Sequence, residues 1–364
     1  MTQLSAQQSA KLRGMLLPFV GLLLSFLFCG VMLALFGIDP LKTYVSIFTK
    51  AFGSKSGISQ TIATAIPMII IAVGIDFAKR AGIFNIGAEG QMILGALGAQ
   101  LAAQLLPQTS AGSAVALVLL GGALFGALWA LLPALFKASL GVNEVVVTIM
   151  MNQIAAYLIA YLVRGPLKDP KDFNQQSVVI PQNAELPVLI PGTKIHAGII
   201  LAIVLIVAVW FVVKRTTYGF RIHVVGSSTR ASVYAGISPK TTLFTAFLIA
   251  GAIAGLAGAN QIAGFEHRLT NSVSNGYGFI GLTVAMIAGG NPFLIVIVSI
   301  LYSALQYGGL IIQISQKVPM ELSNIIQGVT VLFVMCTDSI YELYLDAKKR
   351  PKHVPINAVA KEAK

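Results

Sequence analysis

The chain has 364 residues, of which 56% are hydrophobic and 10% charged. A soluble domain carries about 25% charged residues. This composition therefore excludes a soluble globular protein and points to an all-α polytopic membrane protein, in which apolar stretches of roughly twenty residues recur. The net charge of +12 does not indicate nucleic acid, because the basic residues fall in short loops between apolar runs, as the positive-inside rule describes.

In chain order, residues 1–14 read as a cytoplasmic N-terminus, 15–345 as a transmembrane domain and 346–364 as a basic cytoplasmic tail. The first apolar run follows Lys11 and Arg13. It is longer than a signal-peptide core and lacks a small-x-small exit, so it reads as a membrane span. About ten spans are expected, at 15–36, 58–75, 86–106, 113–136, 144–163, 197–213, 240–263, 278–290, 292–312 and 321–340. An even number returns the C-terminus to the side of the N-terminus. Of the 25 Lys and Arg residues, 16 then lie inside: Lys11, Arg13, Lys79, Arg80, Lys137, Lys214, Arg215, Arg221, Arg230, Lys240 and six in the tail. The stretches 37–57 and 164–196 read as outer segments. The second is rich in Pro, Asn and Gln, and its length suits an ordered surface that receives a partner. Cys29 and Cys336 both lie in apolar runs and read as small hydrophobes, with no disulfide framework or metal motif.

Two places interrupt the pattern. Gly82, Gly87 and Gly90 break the third span near its start. The eighth, "GFIGLTVAMIAGG", has 13 residues, about 20 Å of helix against a hydrocarbon core of about 30 Å. Both open on glycines and run into Ala/Gly/Met/Ile-rich sequence, and they cross in opposite senses. Paired broken segments point to two pseudo-symmetric halves of a transporter, with the pathway beside the broken helices; ordinary small-residue packing faces are the alternative.

Polar residues inside the spans mark candidate pathway positions, because buried polar groups in lipid must face protein or water. They are Asn85, Glu89 and Gln91 on the broken third span, Asn143, Glu144 and Asn152 in "GVNEVVVTIMMN", and Asn260 and Gln261 near the end of the seventh. Helix–helix hydrogen bonding is the alternative reading for each. For Glu89 that alternative is an acid in the first turn of a helix, aided by Lys79 or Arg80. The inner loop 214–240 carries a short helix, capped by Ser227, Ser228 or Thr229 and ended by Gly236. Held in the cytoplasm, it suits a groove on another protein, with a surface helix lying flat on the membrane as the alternative.

No G-x-x-x-x-G-K-[ST] loop, H-E-x-x-H or G-x-S-x-G motif occurs, so the chain is expected to have no nucleotide-hydrolysing loop, catalytic residue, metal or cofactor of its own. A transporter without an energy source either uses an ion gradient or borrows an ATPase, and the capped inner helix favours borrowing.

"AGIFNIGAEGQMILGA", "GVNEVVVTIMMN" and "GFRIHVVGSSTRASVYAGIS" resemble the permease subunits of ATP-binding-cassette importers, in the branched-chain amino acid, ribose and simple-sugar branch. The nucleoside importer permeases are the nearest group, and the likeness covers 60–345. It implies a ten-span fold and a second, different but related permease chain. It also implies a cytoplasmic ATPase and an outer substrate-binding lipoprotein. Gly226, Ser227, Ser228, Arg230, Ala231, Tyr234 and Gly236 match the segment that couples such permeases to the ATPase. The expected function is passage of a small polar solute, a nucleoside. A simple sugar is the alternative substrate, and an ion-coupled transporter complete in one chain is the alternative class.

Overall fold

The computed structural model describes residues 20–35, 37–105 and 110–316, with scattered positions between 325 and 337. The start of the first span, most of the tenth and the basic tail lie outside the described residues. Within them the chain is helical, with isolated bridges and no strand.

α1 (Val20–Leu35) turns by 117° into α2 (Pro40–Phe52). The outer segment expected at 37–57 is therefore largely helix. Asp39 caps α2 by accepting from the N–H groups of Leu41 and Lys42, at 3.0 and 3.2 Å, and Pro40 stands in its first turn. α2 buries Thr43, Ile47 and Ala51 and packs against α3 (Lys55–Arg80) and α12 (Pro292–Gln316).

α3 runs five residues past its expected end, because the charges that seemed to close it satisfy each other. Asp76 Oδ2 accepts from Arg80 Nε and Nη2 at 3.0 and 2.8 Å. It touches α7 (Gly198–Arg215), α10 (Pro239–Gln261), α11 (Tyr277–Ala288) and α12, and is the axis of the bundle. α4 (Ala88–Leu105) and α5 (Ala111–Leu135) join α10 in a second close group. There the backbones nearly touch: a Cβ on Gly255 would stand against the Gly122 carbonyl and 2.9 Å from Gly126 Cα, and one on Gly95 against Gly255 itself. Without a hydrophobic drive between helices in lipid, such small-residue crossings supply the packing.

α6 (Glu144–Arg164) lies against α4. π turns at Phe136–Leu140 and Ile262–Glu266 extend α5 and α10. The segment 164–196 is ordered, as expected. Ile180, Ala184 and Leu186 are buried, and Ser177, Ile180 and Leu186 donate backbone bonds to Leu269, His267 and Ala263. The inner loop holds two helices rather than one, α8 (Thr217–Ser227) and α9 (Thr229–Tyr234).

Helices thus stand at each expected span from 15–36 to 292–312. Among the described residues, six are long and apolar enough to cross a membrane, or seven if α1 and α2 make one bent span. α4 falls outside this set because it carries Glu89, Gln91, Gln100 and Gln104. α11 falls outside because its 12 residues reach only about 18 Å.

Candidate functional site

Between α3 and α4 the chain is unwound over residues 81–87. Gly82, at φ +79°, reverses its direction. An extended backbone inside a membrane protein leaves amides and carbonyls that must find partners, and the first turns of α6 supply them. Glu144 Oε1 accepts from Phe84 N at 3.3 Å, while Lys137 Nζ holds Oε2 at 2.6 Å. Asn152 reaches across twice: Nδ2 donates to the Ile86 carbonyl at 3.0 Å and Oδ1 accepts from Gly90 N at 2.9 Å. Asn85 and Gln91 join their side-chain amides to each other at 2.9 and 3.3 Å, closing the turn into α4. Asn143 is elsewhere in role. It caps α6 by accepting from Val145 N at 3.0 Å.

Glu89 sits in the first turn of α4, as expected, but neither Lys79 nor Arg80 assists it. Arg80 is committed to Asp76 and to the Gly290 carbonyl, 2.9 Å away. The partner of Glu89 is the start of α11. Its Oε2 accepts from Gly278 N at 2.7 Å, and the Ser274 hydroxyl and the N–H groups of Gly276 and Phe279 also face the carboxylate. A side chain on Gly278 would strike Glu89 N and Oε2, at 2.5 and 2.6 Å. Two positive helix ends therefore converge on one buried carboxylate. The two segments that the sequence marks as broken meet at this joint.

Asn85, Glu89, Gln91, Glu144, Asn152, Asn260 and Gln261 are all buried. Five of these form the joint described above. Asn260 and Gln261 stand apart, at the other end of α10. Gln261 Nε2 reaches Glu266 Oε1 at 3.4 Å. Asn260 differs from the rest, because neither amide atom has a protein partner. A Cβ on Gly198 would strike both Asn260 Oδ1 and the His196 imidazole. Its Nδ1 accepts from Gly198 N at 3.1 Å, and its buried Nε2 has no partner. Burial and the neighbouring His267 push the imidazole down to about 4, which leaves it neutral near pH 7. Sequence reasoning missed His196. A histidine in the polar segment 164–196, four residues after Gly192, carries no pattern of its own.

The coupling candidates fall together at the end of the bundle where α3 stops. Of the three possible caps, Ser228 serves: its Oγ accepts from Ala231 N at 3.2 Å. Ser227 instead closes α8, donating to the His223 carbonyl at 2.8 Å. Gly236, at φ +71°, ends α9. Arg230, Ala231, Val233 and Tyr234 are exposed. Gly226 packs on the end of α3, where a Cβ would strike the Arg80 carbonyl, and Gly82 lies beside Gly226 Cα. The end of α8, next to α9, thus adjoins the unwound segment.

The family model for the branched-chain amino acid transport system permease component matches residues 57–335. A glucose permease of Haloferax volcanii is 30% identical over 95% of this chain and 94% of its own length. A guanosine permease of Bacillus subtilis, NupP, is 32% identical over 93% of this chain and 98% of its own. A second guanosine permease of the same bacterium, NupQ, is 31% identical over 65% and 76%. No solved structure matches. The family model spans most of the chain and includes the unwound segment, the joint at Glu89 and the α8–α9 turn, so the chain belongs to the branched-chain amino acid transport system permease family.

Proposed function

We propose that this chain is the membrane-spanning permease subunit of an ATP-driven nucleoside importer. In this reading it crosses the membrane ten times, in two pseudo-symmetric halves, with both termini in the cytoplasm. The observation that carries the reading is the nearly end-to-end match to a guanosine permease. The Haloferax relative favours a second reading, in which the solute is a simple sugar.

The pathway runs beside the joint of α4 and α11, where both helices begin inside the protein. Glu89, Asn85, Gln91, Glu144 and Asn152 hold that joint in shape, and Asn143 sets the start of α6. Asn260 and His196 offer the contact to the solute. The Asn260 amide and the Nε2 of the neutral His196 imidazole, both without a partner among the described residues, supply donors and an acceptor for the hydroxyls and base edge of a nucleoside, with Gln261 alongside.

The energy comes from a separate ATPase, since the chain has no nucleotide loop. α9 is its docking element, and exposed Val233 and Tyr234 are the apolar anchors. Movement of α9 passes through Gly226 to the Arg80–Gly82 backbone, then along the unwound segment to Glu89 and α11. A second, related permease chain completes the pathway. That two guanosine permeases of one bacterium both match this chain supports the pairing. An outer substrate-binding lipoprotein meets the ordered 164–196 surface.

Uptake of labelled guanosine by cells expressing the whole complex tests the substrate. Excess unlabelled nucleosides are expected to compete and excess glucose is not. Competition by glucose with none by nucleosides replaces the nucleoside with a sugar. Asn260→Ala is expected to raise the KM for guanosine while leaving the amount of assembled complex unchanged.

A further inference from the structure

At the end of α3 a cavity of about 620 Å³ opens sideways between α3, α7, α11 and α12. Its walls are apolar, formed by Val73, Ile206, Val209, Val213, Ile287 and Ile295, and its mouth holds Asp76, Arg80, Trp210 and Lys214. A second cavity, about 310 Å³, adjoins it and shares Arg80, Val213 and Lys214. Thr216, Gly219, Phe220 and His223 complete its lining. The two chambers meet at Arg80 and Lys214.

We infer that these joined cavities bind one anionic phospholipid, with an acyl chain in the larger chamber and the phosphate at Lys214 and Arg80. Three observations select this occupant. First, α7 forms one wall, and only a small share of it is buried within this chain, so the cavity lies at an apolar outer face. Second, the charge is matched. Asp76 is the carboxylate at the mouth, and it is engaged by Arg80 in two hydrogen bonds. Among the described residues Lys214 has no partner, which leaves one uncompensated positive charge. α8 also begins here, capped by Thr216, whose Oγ1 accepts from Gly219 N at 3.2 Å, and the first turn of a helix favours an anion. α12 begins on the opposite wall at Pro292, with Asn291 accepting from Phe293 N at 3.0 Å. Third, size excludes a partner helix. One helical turn, about 10 Å wide and 5.4 Å high, fills roughly 420 Å³, so the larger chamber holds less than two turns. A basic pocket between membrane helices is the arrangement that anionic headgroups select, and Trp210 suits the depth of the interface.

The full complex, stripped of lipid in mild detergent and titrated with dioleoyl phosphatidylglycerol or dioleoyl phosphatidylcholine under native mass spectrometry, tests this. Phosphatidylglycerol is expected to be retained over phosphatidylcholine. Lys214→Gln is expected to weaken its retention about fivefold, the effect of one cation near an anionic headgroup. Arg215→Gln, the same charge change at a neighbour lining neither chamber, is expected to change it less than about twofold. Val209→Trp fills the larger chamber and is expected to abolish retention while the complex stays assembled. Equal retention of the two lipids overturns the inference, as do equal effects of Lys214→Gln and Arg215→Gln. Displacement of the lipid by inorganic phosphate alone makes the site an anion site, which also overturns it.

Discussion

α3 and α7 are both long apolar helices, yet 94% of the apolar window of α3 is buried in the protein and only 11% of that of α7. Hydropathy separates either from a soluble helix and does not separate them from each other. Side-chain size does. α3 carries Thr61, Ala63, Thr64, Ala72, Gly74 and Ala78, which let neighbours approach on every side. α7 points Ile200, Ile203, Val204, Val207 and Phe211 outward. Lipid solvates such side chains as well as protein does, so nothing draws them inward. The close helix crossings of this molecule are made by small residues, with large side chains such as Ile66, Met68, Ile70, Ile71 and Phe77 of α3 buried between them, and its periphery is made by large apolar ones.

The sharpest break of that rule is a larger residue at an interior crossing. Gly255→Val places atoms where the Gly122 carbonyl and Gly126 Cα already stand. It is expected to cost about 3 kcal/mol or more, read as a large fall in the unfolding temperature of the complex in detergent. Wild-type stability would mean that α5 and α10 do not meet there.

Next comes the interior polar joint. Glu89→Gln keeps an acceptor for Gly278 N but loses the charge facing two helix ends, an expected loss of about 1.5–3 kcal/mol. Because Glu89 positions the joint, the KM for the solute is expected to stay at its wild-type value. A changed KM with unchanged stability would make Glu89 a direct solute contact.

On the periphery, Val207→Ala removes two methyl groups from an exposed position of α7. Stability is expected to move by no more than about 0.5 kcal/mol. A loss as large as that of a core truncation, about 2 kcal/mol, would place a protein partner on that face.

The smallest effect on the fold is expected from Ala231→Asp on exposed α9. Unfolding should be unchanged. Co-purification of the ATPase should be lost, because a charge buried in the docked interface without a partner costs several kcal/mol. Retained ATPase with normal uptake would remove α9 from the coupling role.

The positions of the spans were legible because runs of apolar residues need no partner to be recognised. The end of α3 was not, since Asp76 and Arg80 read as the edge of a span until each is seen to satisfy the other. α2 carried its signal in Asp39–Pro40, an N-cap followed by a first-turn proline, within a stretch too mixed to read as a span. At the candidate site, the glycines and polar residues around 82–91 marked a break, and the loop 214–240 announced a capped helix. The partners were hidden. Glu89 meets Gly278 across 189 positions of sequence, and Asn152 meets Ile86 across 66. Such pairings are fixed by how α4, α6 and α11 pack, and no local pattern encodes them. His196 became visible beside Asn260 only once α7 and α10 were placed.

The central claim is that this chain forms a route whose power comes from another subunit. Guanosine uptake into proteoliposomes tests it most directly, comparing the complex with its ATPase against this chain alone. The account predicts ATP-dependent accumulation by the complex and none by the chain alone under an imposed sodium or proton gradient. Accumulation by the chain alone, driven by either gradient, would contradict it.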